Sequence, residues 1–178
     1  MKMNIILLPG LMSLFLLNIQ AQTVPDITGS EVTKEEAQLS LDFHNKVRAD
    51  VGIFALNWSA KLAKFAQQWA DHLASEGCIL QHRPNSGVWA TIYGENIFWG
   101  SGSDYTVMDA TESWYSEIKK YTHGVQTNDN WYKTGHYTQM VWRNTTHVGI
   151  GVARCKNGGM IIVANYDPPG NYMGETAY

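Results

Sequence analysis

The chain has 178 residues, a length typical of one domain, and its 13 Lys and Arg against 16 Asp and Glu give a net charge of −3. It has no basic run and no interleaving of basic with aromatic residues, so the composition argues against a nucleic-acid-binding protein. Hydrophobic residues make up 44% of the chain, and a chain of this length can bury one substantial core.

The first 21 residues are typical of a secretory signal peptide. Lys2 provides the charged start, residues 5–17 are mostly apolar, and Ala21 precedes the expected cleavage point. The apolar stretch is too short, and too interrupted by proline and glycine, for a membrane span. Cleavage leaves 178 − 21 = 157 residues with a charge of 12 − 16 = −4. We therefore expect a secreted, extracellular protein without a transmembrane anchor.

Residues 22–33 are polar and are predicted to form a mobile leader before the first helix. Thr33 and Glu36 have the spacing of a capping box, and Gly52 suits a helix end, so the first helix is predicted over residues 34–51. Its apolar face is predicted from side chains spaced four residues apart, which are Leu39, Phe43 and Val47.

A second helix is predicted between Ser59, which can cap its start, and Gly77, which can end it. The apolar stripe between them is the clearest in the chain. It consists of Leu62, Phe65, Ala66, Trp69, Ala70 and Leu73.

The middle of the chain alternates between irregular and regular segments. Residues 78–86 are predicted to be irregular, and residues 91–98, rich in β-branched and aromatic side chains, to form a strand. A third helix is predicted from the apolar spacing of Val107, Ala110, Trp114 and Ile118. Residues 120–135 have no strong period, which predicts a surface loop.

The segment from residue 135 to residue 167 predicts a short helix followed by a hairpin. Large and small residues alternate strictly over residues 148–153, so one strand face carries Gly149, Gly151 and Ala153. A face this bare predicts that a helix or another backbone packs closely against it. Residues 156–159 supply the turn and residues 160–163 the return strand. Three helices and strands buried on both faces predict an α+β fold, with a sheet between helical layers.

Four segments of the chain resemble the recurrent motifs of the CAP superfamily, which comprises cysteine-rich secretory proteins, antigen 5 proteins and pathogenesis-related proteins of class 1. In chain order they are HNKVRADVG, YGENIF, GHYTQMVWRNTTHVGIGVARC and IIVANYDPPGNYMGE. The match covers residues 38–178 and is nearest in look to the plant class. The resemblance implies a single CAP domain, assigned to residues 34–178, with a three-layer α-β-α sandwich around a small, mainly antiparallel sheet.

The chain contains two cysteines, Cys78 and Cys155. In an exported protein an oxidised pair is the default, and the resemblance implies the same disulfide because these positions match two cysteines that are bonded in the plant relatives. The alternative is two free, buried thiols.

The resemblance also groups four polar residues that spacing alone would not bring together: His82, Glu95, Glu117 and His136. In the family these positions line a central cleft that can hold a divalent cation, often Zn²⁺. Two imidazoles and two carboxylates are a plausible zinc set. The alternative is a hydrogen-bonded polar cluster that needs no metal, because glutamate and histidine satisfy each other.

Three functional classes fit these observations: a binding or effector module for an apolar molecule such as a sterol or fatty acid, a hydrolase, and an interaction protein acting on a cell or host surface. Neither a GxSxG nor an HExxH motif is present, which favours the non-enzymatic classes. The nominated hydrolase nucleophiles are Ser86, Ser113 and Ser116. An apolar ligand is predicted to contact aromatic and aliphatic residues of the 120–135 segment. These are Tyr121, Val125, Trp131 and Tyr132.

Overall fold

The computed structural model describes residues 22–102 and 104–178, so the predicted signal peptide lies outside the described residues. The α-helices are α1 (Lys34–Asp50), α2 (Ala60–Ser75), α3 (Val107–Ser116) and α4 (Trp131–Met140), and a 3₁₀ turn covers Glu117–Lys120. The strands are β1 (Asn57–Trp58), β2 (Gly94–Gly100), β3 (His147–Arg154) and β4 (Met160–Asp167). No helix in the described part of the chain is long and apolar enough to cross a membrane.

These strands form one sheet in the order β1-β3-β4-β2. β1 runs parallel to β3, whereas β3 with β4 and β4 with β2 are antiparallel. Helices cover both faces of the sheet, which confirms the predicted α+β class and three-layer α-β-α sandwich.

Helix α2 lies directly on the glycine face of β3. A Cβ atom added at Gly149 would collide with the backbone nitrogen of Ala63, and one added at Gly151 with the backbone nitrogen of Gln67. Helix α2 therefore packs closely against the glycine face of β3, as predicted. Ile161 and Val163 of β4 complete this layer against α2.

The opposite face of the sheet packs against α1 and α3. Ile150 and Ile162 share a buried core with Leu41 of α1 and Trp114 of α3. Trp114, one of the residues in the predicted apolar stripe of the third helix, is 2% exposed and lies in the centre of this layer.

Helix α1 begins as predicted but buries a different face. Thr33 and Glu36 form the complete capping box. Leu39, predicted on the apolar face, is 51% exposed, so that assignment is wrong. The buried face consists of Ala37, Ser40, Leu41, His44, Val47 and Arg48. Hydrophobic spacing missed this face because two of its largest side chains, a histidine and an arginine, are polar and are buried through hydrogen bonds.

Three other boundaries differ from the predictions. Trp131 to Gly135, assigned to a surface loop, form the first half of α4, since the mixed polar sequence hid the helical period. The strand predicted over residues 91–98 covers Gly94–Gly100, and the return strand extends to Asp167. Segment 22–33 lies against the domain, with Val24 and Val32 each 2% exposed, which its polar composition did not indicate.

Cys78 and Cys155 form the predicted disulfide. It joins the end of α2 to the end of β3, across a sequence separation of 77 residues. Cys78 lies near the start of the long connection from α2 to β2 (residues 76–93), so this connection is covalently fixed near its start.

Candidate functional site

The structure brings the four predicted cleft residues together as two histidine–glutamate pairs. Nδ1 of His82 lies 2.8 Å from Oε1 of Glu95, and Nδ1 of His136 lies 2.8 Å from Oε1 of Glu117. Within residues 22–102 and 104–178, no group of three or more His, Cys, Asp or Glu could hold one metal ion. The structure thus shows two separate histidine–glutamate hydrogen bonds.

In the first pair, a strand carboxylate orients a loop histidine. The Glu95 side chain is 5% exposed, and its Oε1 also accepts a hydrogen bond from the backbone N–H of Arg83 at 3.0 Å. Its other oxygen, Oε2, is buried without a hydrogen-bond partner. The His82 side chain is 59% exposed, so the pair presents its imidazole to solvent.

In the second pair, the carboxylate is fixed by the backbone of α4. Oε2 of Glu117 accepts hydrogen bonds from the backbone N–H groups of His136 at 2.9 Å and Tyr137 at 3.1 Å. The side chains of Glu117 and His136 are 19% and 37% exposed. Both oxygens of Glu117 are thus engaged, and the imidazole remains partly open to solvent.

A buried polar chain connects β2 to the second pair. The Asn96 amide donates to the carbonyl oxygen of His136 at 3.0 Å and to the hydroxyl of Tyr166 at 3.2 Å. That hydroxyl lies 3.0 Å from Nε2 of His44, whose Nδ1 lies 2.8 Å from the carbonyl of Ser40.

Burial fixes the protonation states in this chain of contacts. It lowers the pKa of His44 to about 4 and raises the pKa of Tyr166, so the neutral imidazole and the neutral phenol are favoured. A carbonyl only accepts, so His44 donates from Nδ1 to Ser40. Its Nε2 therefore accepts the Tyr166 proton.

The pairing of carboxylate with Nδ1 determines what the two exposed imidazoles can do. A neutral histidine that donates from Nδ1 to a carboxylate keeps a lone pair on Nε2. Among the described residues, neither His82 nor His136 has a hydrogen-bond partner on Nε2. Each pair thus presents one oriented nitrogen ligand, with the carboxylate as its support.

The nominated serines do not join either pair. The Ser116 hydroxyl donates to the carbonyl of Ser113 at 2.7 Å, and Ser86 is exposed in the loop. Over the described residues, no serine hydroxyl is hydrogen-bonded to His82 or His136. Neither pair therefore shows a nucleophile–base hydrogen bond to a nominated serine.

The residues predicted to contact an apolar ligand divide into two environments. Val125, Trp131 and Tyr132 are 48%, 46% and 60% exposed, with the aromatic pair on the first turn of α4. The ring of Tyr121 instead packs 5.1 Å from that of Tyr137 and belongs to an aromatic cluster. The structure thus leaves three of the four on the surface.

Sequence reasoning missed the role of Arg83. Its guanidinium carbon lies 3.7 Å from the ring centroid of Phe65, with Trp69 and Trp89 at 5.2 and 5.4 Å. The residue is 5% exposed, and burial lowers its pKa. The signal was present in the sequence, because Arg83 carries the only formal charge over residues 77–94, a stretch that also contains the aromatic residues Trp89 and Tyr93.

Comparisons with known proteins agree with this architecture. The profile of the CAP family, described as the cysteine-rich secretory protein family, matches residues 41–166. Pathogenesis-related protein 1C of Nicotiana tabacum is 44% identical over 138 residues, 78% of each chain. Pathogenesis-related protein 1 of Arabidopsis thaliana is 38% identical over 156 residues, covering 85% of this chain and 91% of the relative.

Solved structures give the same result. The crystal structure of NaASP2 with Zn²⁺ is 26% identical with a TM-score of 0.72, and the match covers 86% of this chain and 88% of that one. The structure of BmVAL-1 is 26% identical with a TM-score of 0.73, covering 84% of each chain.

Proposed function

The chain belongs to the CAP family of cysteine-rich secretory proteins, and from that premise we propose that it is an extracellular binding protein and not an enzyme. The observation that carries the proposal is the pair of oriented imidazoles of His82 and His136, each held by a carboxylate at Nδ1. They resemble ligands prepared for a bound group, and among the residues that the structure describes no side-chain hydroxyl is hydrogen-bonded to either ring.

A divalent cation such as Zn²⁺ fits the chemistry of these donors. Zn²⁺ binds neutral imidazole, and a carboxylate on the opposite ring nitrogen commonly orients such a ligand. His82 and His136 would then hold the cation, while Glu95 and Glu117 position their rings. A cation bound there would supply positive charge and open coordination positions for an oxygen-bearing ligand. The related protein NaASP2 was crystallised with Zn²⁺.

A calorimetric zinc titration near pH 7.5 tests the proposal. Wild type should bind zinc, the variant His82→Ala/His136→Ala should not, and His147→Ala, which removes an exposed histidine of β3, should bind as wild type does. At a hundredfold excess over the dissociation constant, zinc should stabilise the fold by about 2.7 kcal/mol. The response should weaken below about pH 6, because histidine coordinates as neutral imidazole.

Two outcomes would change this assignment. Absence of zinc binding to wild type would leave the four residues as a structural hydrogen-bonded cluster. Turnover in a parallel ester and peptide substrate screen, lost in the double variant, would make the protein a hydrolase instead.

An apolar small molecule, such as a sterol or fatty acid, is the second candidate ligand. The exposed rings of Trp131 and Tyr132 at the start of α4 support it, because large exposed aromatic residues often mark a binding surface. Deleting residues 125–131 would be a poor test, because the deletion would also remove the buried Gln126. This residue is 3% exposed, and its amide donates to Thr138 Oγ1 at 2.6 Å.

Point substitutions avoid that damage. Trp131→Ser/Tyr132→Ser should decrease uptake of a fluorescent sterol or fatty acid, while Trp99→Ser, which removes a similarly exposed tryptophan (43%), should not. If wild type takes up neither probe, a surface partner becomes the better hypothesis.

A further inference from the structure

The connection between α2 and β2 exposes four aliphatic side chains within a short stretch. We call residues 78–93 the aliphatic loop. Val88 is 98% exposed, Ile92 80%, Leu80 60% and Ile79 56%. Arg83 carries the loop's only formal charge, and that side chain is buried. The loop therefore presents four aliphatic side chains and no formal charge at its surface, beside exposed polar residues such as Gln81 and Asn85.

Several contacts hold this loop in place from within. The Cys78–Cys155 disulfide fixes its start, and the Trp69 indole N–H donates to the carbonyl of Gln81 at 2.9 Å. The loop then folds back on itself, since the Thr91 N–H donates to the carbonyl of Pro84 at 3.1 Å.

Both aromatic residues of the loop, Trp89 and Tyr93, pack against α2, and the Tyr93 ring lies 5.1 Å from that of Phe65. The Trp89 ring stacks on the ring of His72 in α2 at 4.5 Å, and the Arg83 guanidinium lies over the neighbouring aromatic rings. The apolar part of the loop surface is therefore aliphatic, with Val88 and Ile92 as its most exposed hydrophobic side chains.

This chemistry favours a lipid surface over a protein partner. Protein interfaces draw most of their energy from tyrosine, tryptophan and arginine, and here Trp89 and Arg83 are already used inside the loop. Aliphatic side chains instead gain from burial at the boundary of the acyl chains, in proportion to their apolar area. The loop contributes no positive charge to attract anionic headgroups, and the exported chain has a net charge of −4 (12 − 16).

We infer that the aliphatic loop docks on an uncharged lipid surface by inserting Val88 and Ile92, with Ile79 and Leu80 adding apolar contact. The inference stands on the exposure and charge of the loop, independently of any cation at the histidine pairs. Docking would bring His82, which belongs to the same loop, to the membrane surface together with Glu95.

The test is sedimentation of the secreted protein with phosphatidylcholine vesicles. Wild type should partition onto them. The binding should persist in 0.5 M NaCl, a salt concentration on the order of tenfold above that of a low-salt buffer, because salt screens charge and does not weaken apolar burial. Val88→Ser/Ile92→Ser should decrease the partition coefficient about tenfold per residue, the least expected from burying one such side chain.

The chain offers a closely matched control. Ile27 is 81% exposed and Ile92 80%, but Ile27 lies outside the loop beside Asp26. Ile27→Ser should bind vesicles as wild type does. If Val88→Ser/Ile92→Ser lowers the melting temperature, Ile79→Ser/Leu80→Ser is the substitute, with the same expected direction.

Three results would overturn the inference. One is wild type that stays in the supernatant with phosphatidylcholine vesicles. The second is binding confined to phosphatidylserine-containing vesicles and abolished by salt, which would indicate an electrostatic contact. The third is concentration-dependent dimerisation without vesicle binding, abolished by Val88→Ser/Ile92→Ser, which would assign the loop to a second copy of the chain.

Discussion

The two histidine–glutamate pairs have the same chemistry but different supports. Both place Nδ1 of a histidine 2.8 Å from a carboxylate oxygen. Glu117 accepts two backbone N–H groups of α4, so the His136 pair is held by regular structure. The His82 pair depends on the aliphatic loop, which is held by a disulfide and by packed side chains. Equivalent histidine–carboxylate geometry can thus rest on a helix in one pair and on a constrained loop in the other. We call the surroundings of the His136 pair the helix half of the site and those of the His82 pair the loop half.

The disulfide is the strongest support of the loop half. Cys78→Ser/Cys155→Ser should lower the free energy of unfolding by about 4.5 kcal/mol, because the bond closes a long segment in the unfolded chain. Urea unfolding at neutral pH measures the loss, and a thiol assay of the unfolded, unreduced wild type should find no reactive cysteine. A loss below about 1 kcal/mol would mean that the other loop contacts suffice.

Arg48 supports the helix half and gives the next largest effect. Its Nη1 donates to the carbonyls of Met140 and Trp142, both at 2.9 Å, so it ties the end of α4 to α1. Further bonds run to the carbonyls of Phe54 and Thr145. Arg48→Met would leave these carbonyls without their donor and should cost roughly 3 kcal/mol of stability.

Thermal and urea unfolding of Arg48→Met provide the measurement. Arg143→Met, which removes an exposed arginine just after α4, is the matched control and should change stability by less than about 0.5 kcal/mol. Equal stability of the two variants would show that water replaces the Arg48 donors without loss.

Features supported by local sequence patterns could be predicted, whereas contacts between distant segments could not. The capping box at Thr33, the α2 stripe and the glycine face of β3 were predictable, because each follows from a local pattern with one physical solution. The grouping of His82, Glu95, Glu117 and His136 came from family resemblance alone. These residues lie on separate elements, and no local spacing encodes their contacts.

The buried polar residues could not be predicted from the sequence for a related reason. His44 and Arg48 lie on the core face of α1. Hydrophobic spacing identifies a core face only from its apolar side chains, so it does not identify these two residues as buried. Their burial depends on partners far along the chain, such as Tyr166 and the carbonyl of Trp142. The Arg83 contacts are likewise tertiary, since Phe65 and Trp89 meet only when the loop folds onto α2.

His44 makes the helix half sensitive to acid. Burial, the main cause, and the nearby Arg48 charge lower its pKa in the folded protein to about 4, below the ordinary value of about 6.5. As pH falls, the unfolded chain therefore binds this proton first. The stability is fully present above about pH 6.5 and is lost as pH falls toward 4.

The expected loss from this histidine is about 2 kcal/mol at pH 5 relative to pH 7. Unfolding free energies of wild type and His44→Gln at both pH values measure it, because glutamine does not titrate. The variant should lose less stability on acidification than wild type by about this amount. Parallel losses would show that His44 is not the source.

Arg83 gives the smallest expected effect and returns the comparison to the loop half. Arg83→Lys keeps the positive charge but loses the planar guanidinium that lies 3.7 Å from the Phe65 ring centroid. We expect a loss of about 1 kcal/mol in global stability, typical of a partly desolvated cation–π contact.

The local effect of Arg83→Lys should be clearer, because the backbone N–H of this residue also donates to Glu95. Limited proteolysis within residues 78–93 should accelerate, whereas cleavage near α4 should not. The exposed change Arg143→Lys should alter neither. If Arg83→Lys leaves both stability and loop cleavage unchanged, the loop half is held by the disulfide and the Trp69–Gln81 hydrogen bond without help from this side chain.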